Sequence, residues 1–205
     1  MPDFRLTRDD ELDAALILSG AATSDWSGRH CFQTTYLNDR VSEYEQHDNY
    51  RLVWLLRNPQ SVVQSMLNNW KYGALVRLFN RCGANELSGR DRKKFDRFGS
   101  LAFSRLTMAC LSYNAKTAQT TQISNALGPD RLFIADYDDL VDKPDVYMPA
   151  LFEFCDVEYD AKYSGVLKRS SISRKKVLSD RAINQIENLC APVYLAARQM
   201  IREVG

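Results

Sequence analysis

The stretch RLVWLLRNPQSVVQSMLNNW, residues 51 to 70, constrains the fold more than any other: a short apolar run ends abruptly at Arg57-Asn58-Pro59 and gives way to helical text. Leu52 to Leu56 form an unbroken apolar run, the pattern of a strand buried on both faces of a parallel sheet. Asn58 is an N-cap residue type, and Pro59 suits the first helical position, where an N–H is not needed. A strand running into a helix N-terminus in this way directs unpaired N–H groups and a partial positive charge to the strand's carboxyl end. Arg57 adds a planar fork suited to phosphate or sulfate, and Ser65, about two turns on, can offer a hydroxyl. The competing reading of the same text is an ordinary strand-to-helix corner with Arg57 in a surface salt bridge.

A second apolar run, Leu132 to Ala135, predicts another buried strand, with Tyr137 at its carboxyl end. In open parallel sheets, ligands gather at those ends, so Arg57 and Tyr137 share a rim if the two strands are neighbours. Helical spacing is predicted over Asp9 to Ser19, Phe32 to Glu45, Leu101 to Leu127, Tyr147 to Cys155 and Asp180 to Val204, and the helix after Pro59 extends toward Phe79. Gly128 and Pro129 close the long helix, and Pro192 predicts a kink or break in the last one. Residues 20 to 30 read as a loop. Cys82 to Arg97 is polar and charged and reads as a mobile excursion, with Arg90, Arg92, Lys93 and Lys94 interleaved with acids as on a solvated face.

The chain of 205 residues is long enough for one domain, 1–205, with a sizeable core, and its charge, +1 overall, excludes a general nucleic-acid binder. No apolar run approaches a membrane span, and Met1 to Asp10 lacks the pattern of a signal peptide, so a cytoplasmic location is expected. Five cysteines, odd in number and widely spaced, suggest reduced core residues rather than a disulfide framework or a zinc site. Between the last two helices, KRSSISRKKVLSD carries five cations among four serines, a combination that suits a phosphate and equally suits a solvated basic loop.

Arg57-Asn58-Pro59 followed by Ser65, and then LGPDRLFIADYDDLVDKP over 127 to 144 with Tyr137, Asp138, Asp139, Leu140 and Pro144, resemble two segments of the sulfotransferases that use 3′-phosphoadenosine 5′-phosphosulfate (PAPS). The resemblance covers roughly residues 30 to 200. It implies a three-layer α/β/α fold with a central, mainly parallel sheet, like that of the P-loop NTPases. It also implies that Arg57 and Ser65 bind the 3′-phosphate of PAPS or of its product PAP, with Tyr137 close by. Ser173 or Lys175, from the late basic loop, is the further residue implied on that phosphate. The acceptor would be a hydroxyl or amine of a small molecule or a carbohydrate.

The chain departs from the family near its start. No pair of glycines has the Walker spacing, and Gly20 lacks an adjacent cation, so no recognisable loop for the 5′-phosphosulfate is present. Gln33 stands where the family often has Lys, which removes a charge that would assist the leaving group, and His30 is the nearest candidate for the general base that the resemblance implies. Two other readings follow: a different nucleotide-using transferase, and a non-catalytic or fragmentary relative that binds PAP or serves as an interaction module. A sheet short of strands has an open edge, from which a homodimer is expected.

Overall fold

The computed structural model describes residues 5–7, 30–32, 50–167 and 178–201. The chain falls into two compact units, 1–50 and 51–205. In the first, β1 (Arg5–Thr7) and β2 (His30–Phe32) pair in parallel, with Leu6 opposite Cys31. This strand replaces the end of the loop and the start of the helix expected at 30–32.

The second unit begins with β3 (Leu52–Leu56) and α1 (Pro59–Asn69), joined as the sequence predicts. Pro59 is the first helical residue, and the Asn58 side chain accepts a hydrogen bond from the Ser61 N–H at 2.8 Å. Trp70, in an extended conformation, ends α1, so the helix does not run on to Phe79. A separate helix, α2 (Tyr72–Arg81), follows and buries Leu75, Leu78 and Phe79 along one face.

The expected excursion at 82–97 is instead folded. A 3₁₀ turn, Gly83–Glu86, leads into α3 (Gly89–Phe98), and Cys82, Gly83, Ala84 and Leu87 are buried. Phe95 explains why so polar a helix docks: its ring lies 5.7 Å from Phe79 and 6.4 Å from Phe103. A further 3₁₀ turn, Gly99–Ala102, precedes α4 (Arg105–Leu127), which starts later than expected because Ser104 caps it through the Thr107 N–H. Gly128 ends α4 with a φ of +67°, a conformation that favours glycine.

After α4 come β4 (Leu132–Asp136), α5 (Tyr137–Asp142), α6 (Pro144–Phe154), a 3₁₀ turn at Ala161–Val166, and α7 (Asp180–Arg198). Helix α7 continues through Pro192 without the predicted break, held by Ile186, Cys190 and Ala197, which are buried on either side of the proline.

Strands β3 and β4 are parallel neighbours, with Trp54 opposite Ile134 and Leu56 opposite Asp136. Every residue of β4 is buried, whereas Leu55 of β3 is 51% exposed, so burial on both faces holds only for β4. On one face, Trp54 Nε1 donates to Thr120 Oγ1 of α4 at 3.1 Å, and Asp136 accepts from Tyr194 of α7. On the other, Phe133 and Ala135 pack with Leu140, Met148 and Phe154. Helix α4 is covered on all sides between Met108 and Thr117 and forms the centre of a larger core with α1, α2 and α7, including Val63, Met66, Phe79, Met108 and Ile186. The described part is thus an α/β protein, mostly helical, with two small two-stranded parallel sheets. No described helix is long and apolar enough to cross a membrane. Cys82, Cys110, Cys155 and Cys190 carry free thiols, and all but Cys155 are buried.

Candidate functional site

The register of β3 and β4 places their carboxyl ends side by side, and the residues immediately beyond them form one rim. Arg57 and Tyr137 meet there: the guanidinium carbon lies 4.7 Å from the centre of the Tyr137 ring. The Arg57 carbonyl accepts from the Tyr113 hydroxyl of α4 at 2.9 Å, which ties the strand-to-helix corner to the central helix. Burial pushes the Tyr113 phenol well above its ordinary range, so it remains a donor at any physiological pH.

Asp138 closes the corner. Its carboxylate accepts from the Asn58 side-chain amide, and its other oxygen lies 3.9 Å from Arg57 Nε. The two side chains of that ion pair are 29% and 23% exposed, so they are screened only in part. A carboxylate therefore sits beside the first turn of α1, the kind of charge such a turn favours.

Asp136, entirely buried, anchors the other side of the rim. It caps α5 by accepting from the Asp138 N–H at 2.8 Å, and it also accepts from the Tyr194 hydroxyl. Arg198 Nε lies 3.6 Å from Asp136, while an Nη of the same guanidinium donates to Asp139 at 2.6 Å. Loss of water raises the Asp136 pKa, against the lowering effect of the Tyr194, Asp138 and Arg198 contacts. Burial likewise pushes Tyr194 up, helped by the hydrogen bond to Asp136.

Of the residues singled out from sequence, the structure brings Arg57 and Tyr137 together. Ser65 lies in the second turn of α1, where its hydroxyl accepts from the Asn69 side-chain amide at 3.2 Å. The side chain of His30, and Ser173 and Lys175 altogether, lie outside the described residues. The part played by Asp136, Asp138, Tyr194 and Arg198 went unread. The aspartates were visible in the Asp-Tyr-Asp-Asp text as an acidic cluster in need of cations, but nothing local links them to Arg57 or to the end of α7. Among the described residues, no group of His, Cys, Asp or Glu side chains suits a metal ion.

Chemically, the rim offers a guanidinium fork beside a helix N-terminus, a donor set that fits a phosphomonoester. Three carboxylates, of Asp136, Asp138 and Asp139, surround Arg57 and Arg198, so an incoming anion competes with Asp138 for the Arg57 fork.

No protein-family model matches the chain, and no curated protein matches its sequence. Among solved structures, the chain is similar to the "Sulfotransferase Domain from the Curacin Biosynthetic Pathway", at 12% identity with a TM-score of 0.45, over 77% of this chain and 60% of that one. The chain thus spans less than two thirds of that protein's length.

Proposed function

We propose that the chain is a sulfotransferase-like α/β domain that binds PAPS or PAP at the carboxyl ends of β3 and β4. The observation that carries this reading is the placement of Arg57 against Tyr137 on one rim, by the parallel pairing of two strands whose following residues resemble two segments of the PAPS-dependent sulfotransferases. Arg57 takes the 3′-phosphate through its fork, and Tyr113 fixes the backbone from which that fork projects. Ser65 adds a hydroxyl from α1, and Ser173 or Lys175 is the further residue that this reading assigns to the phosphate. When bound, PAPS would supply the activated sulfuryl group. The chain's own part is alignment and charge stabilisation, with His30 the candidate to accept the acceptor's proton. The acceptor is a hydroxyl or amine of a small molecule or carbohydrate. The reading carries with it a three-layer sulfotransferase fold, a cytoplasmic location and a homodimer formed along the edge of β3 that no described strand pairs.

Two features favour a second reading, a module that binds PAP without transferring sulfate: Asp138 already occupies the Arg57 corner, and the sequence shows no recognisable 5′-phosphosulfate loop. Calorimetric titration with PAP tests the shared premise. Micromolar binding, about −8 kcal/mol, is expected for the native chain, with loss in Arg57→Ala, partial retention in Arg57→Lys and none for ATP. Absence of PAP binding, or undiminished binding by Arg57→Ala, would refute both readings. Sulfate transfer to a panel of hydroxyl and amine acceptors then separates enzyme from module.

A further inference from the structure

Helix α3 carries Arg90, Lys93, Lys94 and Arg97 at the spacing i, i+3, i+4, i+7, so that all four fall on one side of the helix. All four are exposed. The helix's acids, Asp91 and Asp96, fall to either side of the stripe, and no ion pair with a described residue engages any of the four. The interleaving seen in the linear sequence therefore disappears on the helix surface, leaving an uninterrupted basic stripe. Phe95 packs on the opposite side of the helix, toward Phe79 and Phe103, which turns Arg90, Lys93 and Arg97 outward, while Lys94 Nζ lies 5.5 Å from the Phe103 ring at the edge of the stripe.

The stripe ends in apolar side chains. Phe98 is 54% exposed and Leu101 84% exposed, the most exposed large apolar residue described. Gly99, with φ at +60°, turns the backbone sharply between them into the Gly99–Ala102 turn, so both lie at one corner. Arg97 lies 4.9 Å from the Phe98 ring and joins the charged stripe to the apolar tip.

We propose that α3 and the Gly99–Ala102 turn form a docking element for an anionic lipid surface. Phe98 and Leu101 enter the boundary between headgroups and acyl chains, and the Arg90, Lys93, Lys94 and Arg97 stripe lies along the negative headgroups. Charge complementarity requires an anionic partner, and the apolar corner selects among such partners. A nucleic acid or acidic glycan would satisfy the cations but leave Leu101 in water, whereas a bilayer interface takes both. The element is independent of the nucleotide rim and stands whether or not PAP binds there.

Vesicle co-sedimentation of the full chain tests this, with phosphatidylcholine vesicles made with and without phosphatidylglycerol. Binding is expected only to the anionic vesicles, and it should weaken with added salt. At about fivefold per cation near an anionic surface, the Arg90→Gln, Lys93→Gln, Arg97→Gln triple variant should lose affinity on the order of a hundredfold. Leu101→Ser, at a site too exposed to disturb folding, should lose on the order of tenfold. Urea midpoints matching the native chain would show both variants folded. Equal binding to neutral vesicles, full binding by either variant, or no sedimentation at all would overturn the proposal. So would retention on heparin or duplex RNA by a chain that ignores vesicles, which would indicate a polyanion partner instead.

Discussion

Replacing Gly83 by alanine tests whether the 82–87 stretch is packed against α4. A Cβ at this position would lie 2.8 Å from Ser112 Oγ, 2.9 Å from a ring carbon of Phe79 and 2.9 Å from the Ser112 backbone nitrogen. Carbon contacts settle near 3.5–4.0 Å, so each neighbour would have to retreat by roughly 0.5–1 Å. None can do so easily. Ser112 Oγ is held by its hydrogen bond to the Met108 carbonyl at 2.7 Å, its backbone belongs to the central helix, and Phe79 is fully buried with Phe95 and Phe103 rings at 5.7 and 5.5 Å. Overpacking of this kind costs about 1–3 kcal/mol. Alanine also narrows the unfolded ensemble relative to glycine, worth about 0.4–1 kcal/mol in the opposite direction. Gly73→Ala isolates that contribution, since a Cβ at Gly73 meets nothing within 4 Å. The difference between the two variants therefore reports the steric cost alone. At about 2–4 °C per kcal/mol for a chain of this size, their melting temperatures should differ by about 2–12 °C, with Gly83→Ala the lower. Urea titrations should give a shifted midpoint and an unchanged slope. A Gly83→Ala midpoint equal to or above that of Gly73→Ala would refute the close approach and restore the loose excursion expected from composition.

Other expectations concern the strands and the rim. Asp138→Asn removes the charge that competes for the Arg57 fork, and calorimetry should show PAP binding severalfold tighter; weaker binding would mean that Asp138 orients Arg57 for the ligand rather than opposing it. Trp54→Phe deletes the buried donor to Thr120 and should cost about 0.5–1.5 kcal/mol by urea denaturation; no loss would mean that the bond is replaced on mutation. Asp136 has its pKa raised by burial, so the stability it contributes is full below the unfolded carboxylate value near 3.9 and declines as pH rises through the folded value. The stability of the native chain minus that of Asp136→Asn should accordingly fall between acidic and neutral pH, and a difference that grew instead would show the Tyr194 and Arg198 contacts outweighing burial.

What the sequence disclosed followed local signals. The Asn58-Pro59 start of α1, the end of α4 at Gly128 and the apolar run of β4 were readable because caps, breakers and strand patterns act within a few residues. The packing of residues 83–98 was not, because its cause is tertiary: a glycine that lets the chain approach Ser112 and a single Phe95 that docks a charged helix. At the rim, the juxtaposition of Arg57 and Tyr137 followed once the two strands were taken as neighbours. The ion pair that fills the corner did not follow, since Arg57 and Asp138 become partners only through that pairing. The exposed Leu55 shows the same limit, because an apolar run specifies a strand without specifying how many neighbours cover it.

The hydrogen bond between Asn58 and Asp138 joins residues 80 positions apart, and parallel pairing requires the whole helical crossover between them to fold back first. The rim therefore belongs to a closed loop rather than to any segment of chain. During synthesis, β3 and α1 leave the ribosome long before β4, so the corner cannot form until α4 has been made and has carried β4 back alongside its partner. The entropy of that closure is offset by helix packing far from the rim. A cut anywhere between α1 and β4 would leave each fragment with half of the corner, and the two could regain it only by reassociating through the α4 core. Recovery of PAP binding by two such fragments would thus report core docking as directly as it reports the rim.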